Sequence, residues 1–216
     1  MKRNVFISKS EAEIVALKKQ LPTTLDLIAH SFLTFSPVSF SIEQPFDIVF
    51  FGSPRSVLFY TAYANIPKGT KIACIGNKTA ELLRELNYTP SYIFDRPGNP
   101  KQGVDAFKTW CDGKSILFPI SNQSLKSVSS AFPDNQKQEV VVYNTILNQQ
   151  KIPLCDVYIF TSPSNVKGFL QTNEIQSSSN VISWGKSTSN ALIDNGISIS
   201  HELESASQEE LLELLS

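Results

Sequence analysis

The chain has 216 residues, 41% of them hydrophobic and 18% charged, which suffices to bury the core of one or two domains. Its formal net charge of −1 leaves no global basic field for nucleic acid or an anionic membrane, and no apolar run approaches the ~20 residues of a membrane span. The opening MKRNVFISKSEAE has too short an apolar stretch for a secretory signal, and Cys74, Cys111 and Cys155 lack metal-ligand spacing, so a soluble cytoplasmic protein with reduced, partly buried thiols is expected.

In chain order, strands are expected at 4–8, 47–52, 71–75, 91–95, 115–120, 157–161, 181–184 and 198–203. Amphipathic helices are expected after each, at 10–20, 54–65, 78–87, 100–111, 122–131, 163–171, 187–195 and 207–215. Such βα alternation predicts mostly parallel sheet flanked by helices. Two strand-like stretches, LIAHSFLTFSPV at 27–38 and EVVVYNTIL at 139–147, have no helix of their own and look like connectors.

In VFFGSPRSV (49–57) a buried strand breaks at Gly52, and Ser53 is placed to cap a helix whose first position is Pro54. A helix N-terminus directly after a strand presents free N–H groups, which serve either as a plain structural cap or as an anion site. The turn recurs. DIVFFGSPRSV at 47–57 returns as DVYIFTSPSNV at 156–166, and CIGNKTAELL at 74–83 returns as SWGKSTSNAL at 183–192. Ser162 follows Ser53 at the same interval as Gly185 follows Gly76, without a gap, which makes the pairs two copies of one βαβα unit. Four matched turns result, at Ser53-Pro54, Gly76-Asn77, Ser162-Pro163 and Gly185-Lys186. Each alone is explained by capping; together they suggest a ligand held between two domains by backbone N–H groups.

The doubled pattern, a TSP-like turn followed by G-x-x-T-a-x-x-L with VVYNT ahead of the second copy, resembles uroporphyrinogen-III synthase over essentially the whole chain. The resemblance implies two similar parallel-sheet α/β lobes joined by a two-stranded β-ladder formed by 27–38 and 139–147. It implies a discontinuous first domain, 1–35 with 148–216, and a second domain at 39–138, where the repeat alone would give two consecutive domains. The implied reaction is closure of the linear tetrapyrrole hydroxymethylbilane into uroporphyrinogen III with inversion of ring D, without a cofactor. The expected protein is a monomer acting on a small molecule.

That substrate carries eight carboxylates, whereas the chain has only four arginines: Arg3, Arg55, Arg84 and Arg96. Side-chain forks alone are therefore too few, and helix N-termini with short polar side chains are the expected carboxylate holders. The residues so assigned are Ser53, Pro54, Arg55 and Ser56; Gly76, Asn77 and Thr79; Ser162, Pro163, Ser164 and Asn165; and Gly185, Lys186, Ser187 and Thr188. Thr79 and Thr188 serve equally well as plain helix caps, and Arg55 as a solvated surface arginine. Gly98, Asn99 and Asn122 correspond to further cleft-facing loops of the family. Tyr143 matches its ladder tyrosine; the phenol either packs within the strand or donates a proton to the departing hydroxyl.

The chain departs from the family pattern at FISKSEAE, where Lys9 stands in for an arginine after the first strand, and at GKST, where Lys186 replaces a proline. His30 and His201 stand alone in the sequence, and neither the dinucleotide fingerprint nor a P-loop is present. Because the bilane also closes unaided to the uninverted isomer, orientation rather than acid strength is the expected contribution. A two-lobed small-molecule binder and a catalytically silent homologue are the competing readings.

Overall fold

Val5, Phe6 and Ile7 are consecutive, point alternately to opposite faces and are all fully buried, as a parallel strand covered on both sides requires. The computed structural model describes residues 2–94 and 100–215, with side chains after the gap described from residue 103. It divides into unit 1, Met1–Thr34 with Ile146–Ser216, and unit 2, Phe35–Thr145.

Unit 1 begins with β1 (Arg3–Ile7), a 3-10 turn at Glu11–Ile14 running into α1 (Val15–Gln20), and β2 (Leu25–Ala29). After the chain returns, it adds β9 (Val157–Phe160), α5 (Pro163–Leu170), β10 (Asn180–Ser183), α6 (Lys186–Asp194), β11 (His201–Glu202) and α7 (Gln208–Leu215). The sheet order is β11-β10-β9-β1-β2, with every pair parallel. Val5, Ile7, Leu17, Ile159 and Leu211 pack one face. Phe6, Phe32, Tyr158, Phe160 and Phe169 pack the other, with ring centroids from Phe6 to its four partners 5.6–6.1 Å apart.

Unit 2 holds β4 (Ile48–Phe51), α2 (Pro54–Thr61), β5 (Lys71–Ile75), α3 (Gly76–Glu85), β6 (Tyr92–Phe94), α4 (Pro100–Cys111), β7 (Ile116–Ser121) and β8 (Lys137–Leu147). With β3 (Leu33–Pro37) at its edge, the sheet runs β3-β8-β7-β4-β5-β6. The chain passes between units within β3 and β8, which are neighbours in that order. Val49, Phe51, Tyr60, Leu83 and Val142 fill one face, and Phe50, Phe94, Phe107, Phe118 and Phe132 the other.

The repeat seen in the sequence is a repeat of structure. Moved along the chain by the interval from Ser53 to Ser162, β4 and α2 coincide with β9 and α5, and the partner pair Ile48↔Lys71 falls on Val157↔Asn180. Strand for strand, β11-β10-β9-β1-β2 corresponds to β6-β5-β4-β7-β8. Unit 1 is thus the unit 2 topology cut ahead of its fourth strand, so that β1 and β2 play the parts of β7 and β8.

Two expectations are corrected. The stretch 27–38 is two strands: β2 belongs to unit 1, β3 joins the other sheet, and Phe32 between them is buried in unit 1. The helix expected at 122–131 is a loop ending in a 3-10 turn at Ser129–Ala131. Serine hydroxyls compete for the backbone there: Ser124 Oγ accepts from the Lys126 N–H at 3.2 Å, and Lys126 adopts a left-handed φ of 52°. Among the described residues, no helix is long and apolar enough to cross a membrane.

Candidate functional site

The strand order of unit 2 reverses between β4 and β7, and ligands of open α/β sheets bind at the carboxyl ends of strands at such a point. A cavity of about 270 Å³ lies there, lined by Gly52 and Ser53 after β4, by Ile120 and Ser121 at the end of β7, and by Ser56 and Tyr143. The residues beyond β7, Ser124 to Ser129, complete its wall.

Ser53 and Ser56 close a reciprocal cap on α2. Ser53 Oγ accepts from the Ser56 N–H at 3.2 Å, Ser56 Oγ accepts from the Ser53 N–H at 3.3 Å, and the Ser56 hydroxyl donates to the Ser53 carbonyl at 2.7 Å. Pro54 at the first helical position has no N–H to satisfy. Arg55 is exposed with its guanidinium 3.5 Å from the Phe35 ring centroid, and among the described residues it has no ion-pair partner.

Tyr143 arrives by a β-bulge. Ile120 pairs with Val141, but Ser121 pairs with Tyr143, so Val142 is inserted and the alternation of β8 resets. Val142 and Tyr143 therefore share one core face, where regular pleating would oppose them. The Tyr143 ring stacks on Phe59 at 4.9 Å and 17°, and its edge meets Phe35 at 6.1 Å. Its hydroxyl makes no hydrogen bond to another described residue, although the residue is only 7% exposed.

At the end of the neighbouring strand, Gly76 opens α3 with a φ of 71°, Asn77 is exposed to solvent on the first turn, and Thr79 is buried. Asn122 braces β8: its Oδ1 accepts from the Thr145 N–H at 2.8 Å, and its own N–H reaches the Tyr143 carbonyl at 3.3 Å. Gly98 and Asn99 lie outside the described residues.

In unit 1 the matching turn is built differently. Ser162 Oγ accepts from the Asn165 N–H at 3.3 Å and from Asn165 Nδ2 at 3.1 Å. Asn165 Nδ2 also donates to the Ser8 carbonyl at 3.1 Å, while its Oδ1 accepts from the Phe32 N–H at 2.8 Å. Ser8 and Thr161, at the carboxyl ends of β1 and β9, are stitched together by three contacts of 2.8–3.1 Å. Pro163 and Ser164 lie on the first turn of α5. Gly185, with φ 155°, caps α6; its carbonyl accepts from the Thr188 and Ser189 N–H groups at 2.9 and 3.1 Å. Lys186 and Ser187 follow on the first turn of α6, and Thr188 is buried. Lys9 sits 5.1 Å from the Trp184 ring, a cation–π contact.

Ser8, Thr161, Ser121 and the 124–129 loop were not foreseen as site components, because nothing local in SKSEAE or SNQSLKSVSS distinguishes them from surface turns. The cysteines supply no nucleophile: burial pushes the Cys74 and Cys155 thiols up to about 11 and Cys111 to about 12. Among the described residues no cluster of histidine, cysteine and carboxylate side chains could hold a metal ion.

Parallel sheets with capped helix N-termini at their carboxyl ends, and a cavity of mixed apolar and hydroxyl lining where the strand order reverses, define an open-sheet α/β protein of the kind that holds small molecules above its strands. A family model described as uroporphyrinogen-III synthase HemD matches residues 22–213, and the chain belongs to that family. Its fold is shared by uroporphyrinogen-III synthetase from Helicobacter pylori 26695, with 20% identity, a TM-score of 0.69, and 99% and 98% of the two chains covered. A mutant uroporphyrinogen III synthase from Thermus thermophilus also shares it, at 13% identity and a TM-score of 0.63, covering 98% of this chain and 97% of that one. Comparison with curated protein sequences finds no match. The chain is accordingly a cyclising lyase of tetrapyrrole biosynthesis that converts hydroxymethylbilane to uroporphyrinogen III.

Proposed function

We propose that the unit 2 cavity receives the reacting end of the bilane and that Tyr143 donates the proton that releases its hydroxyl as water. The observation that carries this is the bulge at Val142, which brings Tyr143, whose phenol has no hydrogen-bond partner among the described residues, to the lining of a cavity shared with the Ser53 cap. As the carbon–oxygen bond breaks, the pyrrole nitrogen supplies the electron pair and an azafulvene cation forms. The substituted ring-D carbon attacks it to give a spiro intermediate, whose fragmentation and reclosure invert the ring. The proton lost on rearomatisation restores the phenol.

The turns at Ser53–Ser56, Gly76–Thr79, Ser162–Asn165 and Gly185–Thr188 hold substrate carboxylates through the backbone N–H groups that their own caps do not occupy. Asn122 acts from behind by holding β8, and hence Tyr143, in place. In this reading the protein works as a cytoplasmic monomer without a nucleic-acid or membrane partner, and β3 with β8 forms the connecting ladder.

Tyr143→Phe tests the chemistry. General acids contribute ~10²–10⁴-fold, and the pyrrole's own electrons help here, so a fall in kcat of about 10²-fold or less is expected with KM and melting temperature unchanged. Products are separated as oxidised type I and type III isomers. Unchanged type III turnover by a folded Tyr143→Phe protein would remove Tyr143 from the reaction and leave orientation by the turns.

A further inference from the structure

Among the described residues, Lys126 is the only cationic one lining the unit 2 cavity, on a wall that also carries Ser124, Ser127 and Ser129 beside the apolar Leu125 and Val128. Its ammonium lies 2.5 Å from Glu139 Oε2, and the other carboxylate oxygen accepts from Ser129 Oγ at 2.6 Å. The two ends of this pair are unequal. The Lys126 side chain is 52% exposed, whereas that of Glu139 is 17% exposed.

The backbone of Lys126 is fixed on both sides: its N–H donates to Ser124 Oγ at 3.2 Å, and its carbonyl accepts from the Ser130 N–H at 2.9 Å. Only the flexible stem needs to move for the ammonium to change partner. Departure of Lys126 would not strand the carboxylate, because Ser129 stays bonded to it and Lys137 contributes a second positive field. Burial works against the ionised form of Glu139, but the hydrogen bonds from Lys126 and Ser129 outweigh it and hold the group below its ordinary pKa.

We infer that Lys126 is a substrate-recognition residue that leaves Glu139 to grip one carboxylate arm of the bilane in the unit 2 cavity. The inference rests on that cavity being the substrate site. Glu139 is then the resting counter-ion, a competitor of the substrate for the same ammonium, and the exchange replaces one charge-assisted hydrogen bond by another. A purely structural ion pair would behave otherwise, since loss of either partner would then have the same consequence.

The test compares Lys126→Gln, Lys126→Arg and Glu139→Gln with hydroxymethylbilane as substrate, with Ser53→Ala as the control for the cavity. Lys126→Gln is expected to raise KM by about five- to tenfold with kcat held within about twofold, and Lys126→Arg to restore most of the loss. Glu139→Gln is expected to shift KM the opposite way, lowering it by about two- to threefold as the competitor is removed. A raised KM in both Lys126→Gln and Glu139→Gln, or an unchanged KM in Lys126→Gln, would overturn the assignment. If Lys126→Gln fails to fold, the sign of the Glu139→Gln effect decides. Should Ser53→Ala raise KM while Lys126→Gln does not, the cavity stands and the lysine falls. No change in KM or in the isomer ratio for either would sink the cavity itself.

Discussion

The two copies of the repeat share a backbone and differ in what a few side chains do with it. Ser56 and Asn165 occupy the same position in their respective copies, as do Phe59 and Gly168. In unit 2 the short Ser56 folds its hydrogen bonds back onto Ser53, and Phe59 extends to stack on Tyr143. In unit 1 the longer Asn165 reaches out to Ser8 and Phe32, while Gly168 leaves a gap that the Phe32 side chain fills. One switch point is thus left as a cavity and the other is knitted to the chain segment leading out of the unit. A cap motif fixes a helix start but not its use, which is decided by whether the next side chain turns inward or outward.

Asn165→Ala should separate the copies most sharply. It strips the partner from the Phe32 N–H in a buried region, while the Ser8 carbonyl keeps the Thr161 hydroxyl, and a loss of about 1–3 kcal/mol is expected from the one group left unpaired. Ser56→Ala, which breaks only a local cap, should cost about 0.5–2 kcal/mol. Denaturant unfolding of both variants provides the check, and equal losses would erase the distinction between the copies.

Next in size is the helix position one turn on. A Cβ at Gly168 would sit 2.5 Å from the Phe32 Cβ, and overpacking of this kind costs about 1–3 kcal/mol, so Gly168→Ala should lower the melting temperature with KM little changed. Phe59→Ala removes the ring under Tyr143 and is expected to lower kcat as well as stability, by about 1–3 kcal/mol for the latter. A Phe59→Ala protein with normal kcat would show that the stack merely fills space.

The smallest contrast concerns Asp47 and Asp156, again matched positions of the two copies. Asp47 Oδ2 accepts from Ser115 N–H and Oγ at 3.0 and 2.8 Å, and Asp156 Oδ2 accepts from the Asn4 N–H at 2.7 Å. The Ser115 hydrogen bonds hold the Asp47 pKa below its ordinary value. A carboxyl whose pKa is lower in the folded state contributes stability above its unfolded pKa, about 3.9, and loses it as pH falls through the folded value. Asp47→Asn should therefore flatten the acid limb of the stability curve below about pH 4, read by melting temperature against pH. An unaltered limb would remove Asp47 from the acid response.

The repeat was legible in the sequence because its strand ends and caps are local: FGSPRSV and FTSPSNV announce their own turns, and the strand and helix bounds of β4–α2 and β9–α5 follow with the same shift. What escaped was fixed by distant partners. LIAHSFLTF keeps a strand-like pattern through Phe32, yet Phe32 is claimed by Phe6 and Phe169 and breaks the stretch in two. SNQSLKSVSS has helical spacing, yet its serines and Glu139 bind its backbone and side chains elsewhere. Of the candidate site, the four turns could be named from the residues and Tyr143 only from the family resemblance, while the bulge that aims Tyr143 depends on register with β7 and leaves no mark in VVVYNT.

The permuted wiring of unit 1 also sets an order of assembly. Ribosomes deliver β1 and β2 first, but Val5 pairs with Val157 and cannot find that partner until the whole of unit 2 has been made. Unit 2 is contiguous and needs only its own residues, so it closes while the first two strands wait as an exposed parallel pair. Nascent chains stalled far enough beyond Thr145 for all of unit 2 to clear the ribosome should carry a protected unit 2 and a protease-sensitive N-terminal segment, an inversion of the usual N-terminal-first rule. The hydrogen bonds of Asn165 to Ser8 and Phe32 then form only after unit 2 has been made, joining an earlier part of the chain to a later one.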